Sequence, residues 1–399
     1  MSTAAIVSTN SARPQPRPRG ELTIEHRASL AWSPDEAASI EILADDRPHV
    51  GVFLSHAWLS GFFEEPPAGY EPSVLILREA GALRGFVPLA INQRLTHTRV
   101  SLLGGGFGSD RVDLLAARGY ESVCADAVMA WLRGEFPRGF VFELRDVPGD
   151  SALWGAIGRA ASATPVRVTL VPREVYALPY LPLSENPMMA GAPEPNDSAS
   201  LARHRRWLER RGHLRIDTVT DVDDVQQAFD VLVRLLQSRW GSGRSALEDP
   251  RVQRFHRRVL PQLAREGRLR MMRFASDMRP IAVYYGVASR SIDTSVHRGP
   301  AAPRWWGYYL AGYDREWAGR IHLGRVALAA AIDLAAKDGA REFDFLKGPE
   351  PVKYLWPVRE RITVDADVYS RARGPALTSA ARAARIAIGA LVRSLRGER

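Results

Sequence analysis

Asp344-Phe345-Leu346-Lys347-Gly348-Pro349-Glu350-Pro351-Val352-Lys353-Tyr354-Leu355-Trp356 is the stretch on which the reading turns. Residues 342–346 pattern as a strand, and Gly348-Pro349 breaks it. The break throws a lysine, a tyrosine and a tryptophan onto a fresh turn or helix. A loop at a strand end is where a rigid sheet presents reactive groups to a ligand. Taken alone, the segment reads as a strand, a turn and an aromatic anchor.

Outward from it, the chain has 399 residues, 46% hydrophobic and 25% charged, enough for two domains with a core each. Its single cysteine, Cys124, excludes an internal disulfide framework and a cysteine zinc cluster. Cys124 lies in an alanine-rich helical stretch and reads as a small buried hydrophobe. The net charge is +9, but seven arginines against Glu398 crowd residues 371–399. The remainder is nearer neutral, which argues against nucleic-acid binding by the whole surface. No apolar run approaches the roughly 20 residues that span a bilayer. Residues 1–20 carry Ser, Pro and Arg with no apolar centre, and are expected to form a disordered tail rather than a secretion signal.

Strands are expected at 22–25, 74–78, 84–91 and 140–145, with a helix start at Ser33-Pro34-Asp35-Glu36 and helices over 120–136 and 151–161. Residues 182–200 are rich in Pro, Asn, Ser and Ala and read as the approach to a second unit. That unit is expected to hold helices at 201–212, 221–239 and 251–266. Strands at 269–276, 280–288, 290–298 and 308–313 follow, then a helix over 323–337 ended by Gly339 and strands at 341–346 and 362–369. The boundaries expected are a tail over 1–20, units over 21–185 and 186–370, and a C-terminal segment over 371–399. In that segment Arg382, Arg385, Arg393 and Arg396 share one helical face, and Leu377, Ile388, Leu391 and Leu395 the other. It reads as a basic amphipathic helix that docks on the body or lies on an anionic membrane surface.

Several motifs resemble the CelD-type acetyltransferases, relatives of the Fem aminoacyltransferases in the GNAT superfamily. Phe345-Leu346-Lys347-Gly348 with Lys353-x-x-Trp356 resembles their signature around a D-F-L-R-G start. Phe53-x-Ser55-His56-x-Trp58-Leu59, Gly85-Phe86-Val87-Pro88-Leu89 and Arg239-Trp240 resemble further elements. Leu103-Gly104-Gly105 followed by Ser109-Asp110-Arg111-Val112-Asp113 resembles another, with Arg111 where tyrosine is usual. Val352 likewise replaces the usual tyrosine before the lysine. The resemblance implies an α+β fold of two tandem GNAT-like domains, each a mixed, mostly antiparallel sheet flanked by helices.

It also implies an acyl-CoA-dependent N-acyltransferase, with acetyl-CoA or another acyl-CoA as co-substrate and no metal. Helix-start amides at Leu323, Gly324 and Arg325, aided by Arg320, would hold the pyrophosphate. Lys353 would meet anionic substrate groups, Tyr354 would protonate the departing thiolate, and Asp344, Asp110 or Asp113 would accept the amine proton. Arg239, Trp240 and Trp356 would line the acceptor site. The acceptor would be a small-molecule or glycan-precursor amine, in a cytoplasmic enzyme that meets the membrane face only if residues 377–396 lie on it rather than dock on the body. Two rival readings are an aminoacyl-tRNA-dependent transferase and a degenerate binding or scaffold protein. The first predicts steeply salt-dependent tRNA binding, the second no stabilisation by acyl-CoA. The basic run around Arg203, Arg205, Arg206, Arg210 and Arg211 reads as a solvated helix face. The nine histidines show no metal-ligand spacing.

Overall fold

In the computed structural model, the residues described are 20–162, 168–183, 195–196, 198–211, 214–240, 247–290, 305–317, 321–348 and 350–370. The expected tail, the segment 371–399, most of the expected 290–298 strand and Arg320 lie outside them.

The first half runs β1 (Thr23–Arg27), α1 (Pro34–Asp46), α2 (Pro48–Gly51), α3 (His56–Glu64), β2 (Glu71–Glu79), β3 (Ala82–Gln93), β4 (Thr98–Leu102), β5 (Leu115–Ala116), α4 (Glu121–Glu135), β6 (Phe140–Pro148), α5 (Ala152–Ser162) and β7 (Val168–Pro182). The second runs α6 (Ser198–Arg211), β8 (Arg215–Val219), α7 (Val222–Trp240), α8 (Pro250–Arg265), β9 (Leu269–Ser276), β10 (Arg279–Ala288), β11 (Trp305–Tyr313), α9 (Leu323–Lys337), β12 (Glu342–Asp344) and β13 (Arg359–Ser370). Local signals set several starts. Ser33 and Glu36 close a reciprocal capping box on α1, with Pro34 at its first position. Asp249 caps α8 ahead of Pro250.

Apart from the short α2 and β5, the extra α5 before β7 and the leading α6, both halves follow one order: strand, two helices, three strands, helix, strand, closing strand. In space the strands form one sheet, β1-β2-β3-β4-β6-β13-β7-β12-β11-β10-β9-β8. The pairs β4·β6 and β11·β12 are parallel, and the other neighbours are antiparallel. The closing strands are exchanged. β13, the last strand of the second half, pairs with β6 of the first, while β7 pairs with β12. Together β7 and β13 form a long antiparallel ribbon from Arg359 opposite Tyr180 to Ser370 opposite Val168. Pulling the halves apart would break both ladders.

A shared core reinforces this. Trp58 on α3 packs edge-on to Phe255 on α8 with ring centroids 5.3 Å apart. Gly61 permits the approach, since a Cβ there would lie 2.5 Å from Val259 and 2.6 Å from Phe255. Truncating Phe255 to alanine would cost about 3–5 kcal/mol. Among the described residues no helix is long and apolar enough to cross a membrane.

Candidate active site

The site begins where two parallel strands part. β11 and β12 pair only from Trp305 opposite Glu342 to Gly307 opposite Asp344. β11 then runs on to Tyr313, while the chain leaves β12 through Leu346 and Gly348, both at positive φ (54° and 130°). Beyond Gly307, no strand among the described residues pairs with the β12-side edge of β11. On its other edge the ladder to β10 skips from Tyr308·Gly286 to Leu310·Tyr285, so Tyr309 is a bulge residue. A bulge bends the strand and re-aims a side chain. Here it turns both Tyr309 and Leu310 toward the core shared by the two halves.

α9 starts beyond the far end of β11. Its first turn carries no acid and no side-chain cap, so nothing within that turn offsets its positive end. Leu323 is buried, and Gly324 and Arg325 are half-buried. Gly324 lies against the ring of Tyr313, where a Cβ would come within 3.0 Å. The glycine thus serves close helix–strand packing as well as leaving the backbone accessible.

The lysine of the opening stretch is turned inward. Lys353 is 1% exposed. Its ammonium donates to the carbonyl oxygens of Leu346 (3.3 Å), Lys347 (3.0 Å) and Gly348 (3.2 Å) and pairs with Glu350 (2.9 Å). Those contacts occupy its donors and staple the turn that carries the chain away from β12. Tyr354 is on the surface, 45% exposed, and donates to Glu360 at 3.1 Å. Trp356 is buried beside Phe345.

The three aspartates have different surroundings. Asp344 is fully buried; both oxygens face Arg111, and Trp305 Nε1 (3.1 Å), the Leu346 amide (2.9 Å) and Arg361 (3.3 Å) add to them. Burial alone would raise its pKa, but the Arg111 guanidinium overrides that and holds it low. It is a saturated carboxylate that ties β12 to the first half. Asp113 is also fully buried, accepting from Ser151 (2.6 Å) and the Leu114 amide (2.8 Å) and paired with Arg47 (3.0 Å). Burial pushes it up to about 6 despite Arg47.

Asp110 is the aspartate in reach. It is partly exposed, and one oxygen accepts from the Lys347 amide at 3.0 Å. Desolvation, seconded by the nearby charge of Asp146, raises it to about 6. Lys347 lies over the Tyr176 ring at 4.2 Å and pairs with Asp146 at 2.6 Å, and Asp146 also receives the Gly106 amide at 3.3 Å. Tyr309 donates to the Gly108 carbonyl at 2.6 Å. The glycine loop 104–108 is thereby fastened to β11, and Asp110 sits at the seam. A cavity of about 350 Å³ opens between this loop, the α3–β2 connection, the start of α8 and β11. His256 forms part of its wall. It is 2% exposed, and burial lowers it to about 3, so its imidazole is neutral.

The structure thus brings Asp110 to the parted strands. It places Lys353 as a staple, Asp344 and Asp113 in buried pairs, and Tyr354 on the surface. Arg239 and Trp240 end α7, and their side chains, like Arg320, lie outside the described residues. Tyr309, Lys347, Asp146 and His256 carry no local sequence signal, because tertiary packing rather than a local motif places them here. Arg111 did carry one, as the departure from the usual tyrosine.

Residues 196–354 match the model of the acetyltransferase (GNAT) domain. That stretch of the chain is a GNAT domain. Among solved structures, FemX aligns over 89% of this chain and 99% of its own with a TM-score of 0.58 at 9% identity. A Bacteroides thetaiotaomicron protein of unknown function aligns over 84% and 97% (TM-score 0.47, 10% identity). A tandem GNAT protein from the clavulanic acid biosynthesis pathway aligns over 88% and 98% (TM-score 0.44, 14% identity). No curated protein matches the sequence. The FemX alignment extends a shared fold over most of the chain, α+β with a mostly antiparallel sheet. By its GNAT domain the enzyme is an acyltransferase.

Proposed function

We propose that this GNAT protein transfers an acyl group, acetyl or longer, from acyl-CoA to a primary amine held between its halves. The observation that carries the reading is Asp110, a partly exposed carboxylate raised to about 6 at the seam beside the parted strands. An amine must lose a proton before it attacks a thioester, and a group titrating near the working pH accepts one efficiently.

In this reading the donor lies along the β12-side edge of β11 beyond Gly307, where no strand pairs with it among the described residues, and bonds there as a neighbouring strand would. The first turn of α9 receives the pyrophosphate, and Arg325 adds charge. Asp110 takes a proton from the ammonium, directly or through water. The amine nitrogen forms a bond to the thioester carbon, the carbon–sulfur bond breaks, and the thiolate takes a proton from solvent. Amine and acyl-CoA become amide and free thiol. Lys353 acts at one remove, fixing the turn that keeps β12 apart from β11.

The test is thiol release from acetyl-CoA in the presence of amines, with acetyl-CoA binding measured separately by thermal shift. Wild type should bind acetyl-CoA, gaining about 2.7 kcal/mol of stability at a hundredfold excess over Kd. Absence of acetyl-CoA binding, with binding of an aminoacyl-tRNA instead, would overturn the reading.

A further inference from the structure

Building on that reading, we infer that the amine acceptor has a small apolar, aromatic-sized body, and is not an amino sugar. The cavity of about 350 Å³ is at the small end of ligand sites, room for one compact molecule. Its interior is made by Phe62, Phe107, Leu247, Val252, Phe255 and Leu310. Apart from Arg251, which is exposed, the polar side chains in the described wall are largely committed. Tyr309 donates its hydroxyl proton to Gly108, and His256 is a neutral ring with its Nδ1 3.5 Å from the Tyr285 hydroxyl. Glu65 is held in a fork by Arg254 at 2.6 and 2.9 Å, and Asp249 is spent capping α8.

A sugar brings several hydroxyls, each needing a partner once water is expelled, and an unpartnered buried hydroxyl is costly. This wall has few partners to give. An aromatic or alicyclic body loses nothing here and gains from edge-to-face contacts with Phe62, Phe107 and Phe255. Its amine would point to the polar end. There Asp110 makes itself felt at Tyr309, whose phenol is raised first by burial and then by the charges of Tyr285 and Asp110.

Two probes separate the outcomes. The first is thiol release from acetyl-CoA with phenethylamine, glucosamine and spermidine. kcat/KM for phenethylamine should exceed that for glucosamine by about a hundredfold, the scale set by burying unpaired hydroxyls. Val252→Trp, which fills the cavity from α8, should remove most of the phenethylamine reaction while leaving acetyl-CoA binding unchanged. The second probe needs no donor: saturation-transfer NMR should detect phenethylamine on wild type and not on Val252→Trp, whose folding is checked by its melting curve. Equal or better use of glucosamine, or undiminished phenethylamine binding by a folded Val252→Trp, overturns the inference. Loss of acetyl-CoA binding alone would strike the acyl-CoA reading and leave the NMR result to decide the cavity.

Discussion

Each half contains a parallel strand pair connected through a helix, β4·β6 through α4 and β11·β12 through α9, yet the two wedges have opposite fates. In the second half the strands part after Gly307 and the first turn of α9 holds no acid. In the first half the chain itself returns along β6. The Val112 amide donates to the Asp146 carbonyl at 3.3 Å, and the preceding loop 104–108 is tied to β6 by the Gly106 amide, which donates to the Asp146 carboxylate at 3.3 Å. The positive end of α4 is already satisfied, because it starts with Glu121, whose carboxylate also accepts the Gly119 amide at 2.8 Å. The same topology thus makes one open wedge and one filled wedge. The filling is put to use: the segment that plugs the first wedge delivers Asp110 to the second.

If that division holds, Asp110→Asn should lower kcat/KM by about 10²–10⁴, the usual contribution of a positioned base, with acetyl-CoA affinity unchanged. An active Asp110→Asn enzyme would return the first half to a purely structural role. Next in size is Arg111→Ala. It would strand the Asp344 carboxylate in the core and cost about 3–5 kcal/mol in denaturant unfolding. Replacing both residues with apolar ones of similar volume should recover much of the loss. A single Arg111→Ala that unfolds like wild type would show the halves are joined by the ribbon and aromatic core alone.

A charge at the helix starts sharpens the contrast. Gly324→Glu should weaken acetyl-CoA at least about tenfold, through a clash with Tyr313 and a negative charge at a positive helix end. Ser122→Glu, at the matching end of α4, should leave it unchanged. Equal effects would erase the distinction between the wedges. Smallest of all, Tyr354→Phe should stay within about twofold in kcat, since its hydroxyl faces Glu360 at the surface. A large loss there would move the acid for the leaving thiolate onto Tyr354.

Much of the fold was legible. β9 and α9 fall on the expected residues, and β10 and α8 begin within one residue of them, because their periodicity and caps are strong. β7 was not, since Pro172, Pro179 and Pro182 argue against a strand. The structure accommodates them: Pro172 follows a register shift opposite Asp365 and Ala366, and the Pro179 carbonyl accepts the Phe345 amide at 3.0 Å. Missing β7 hid the strand exchange and, with it, the meeting of Asp146, Lys347 and Tyr176. Asp110 was visible through its motif. The direction of Lys353 was not, because nothing in a sequence tells whether a lysine reaches out to substrate or back to three carbonyls of its own turn.

The central claim is that Asp110, lent by one half, is the proton acceptor for chemistry in the other. It is tested most directly by the pH dependence of kcat/KM for wild type divided by that for Asp110→Asn, a ratio from which titration of the amine itself cancels. The account predicts a ratio that climbs about tenfold per pH unit up to about 6 and is level above it, as a base with that pKa loses its proton. A ratio flat from pH 5 to 8 would contradict it.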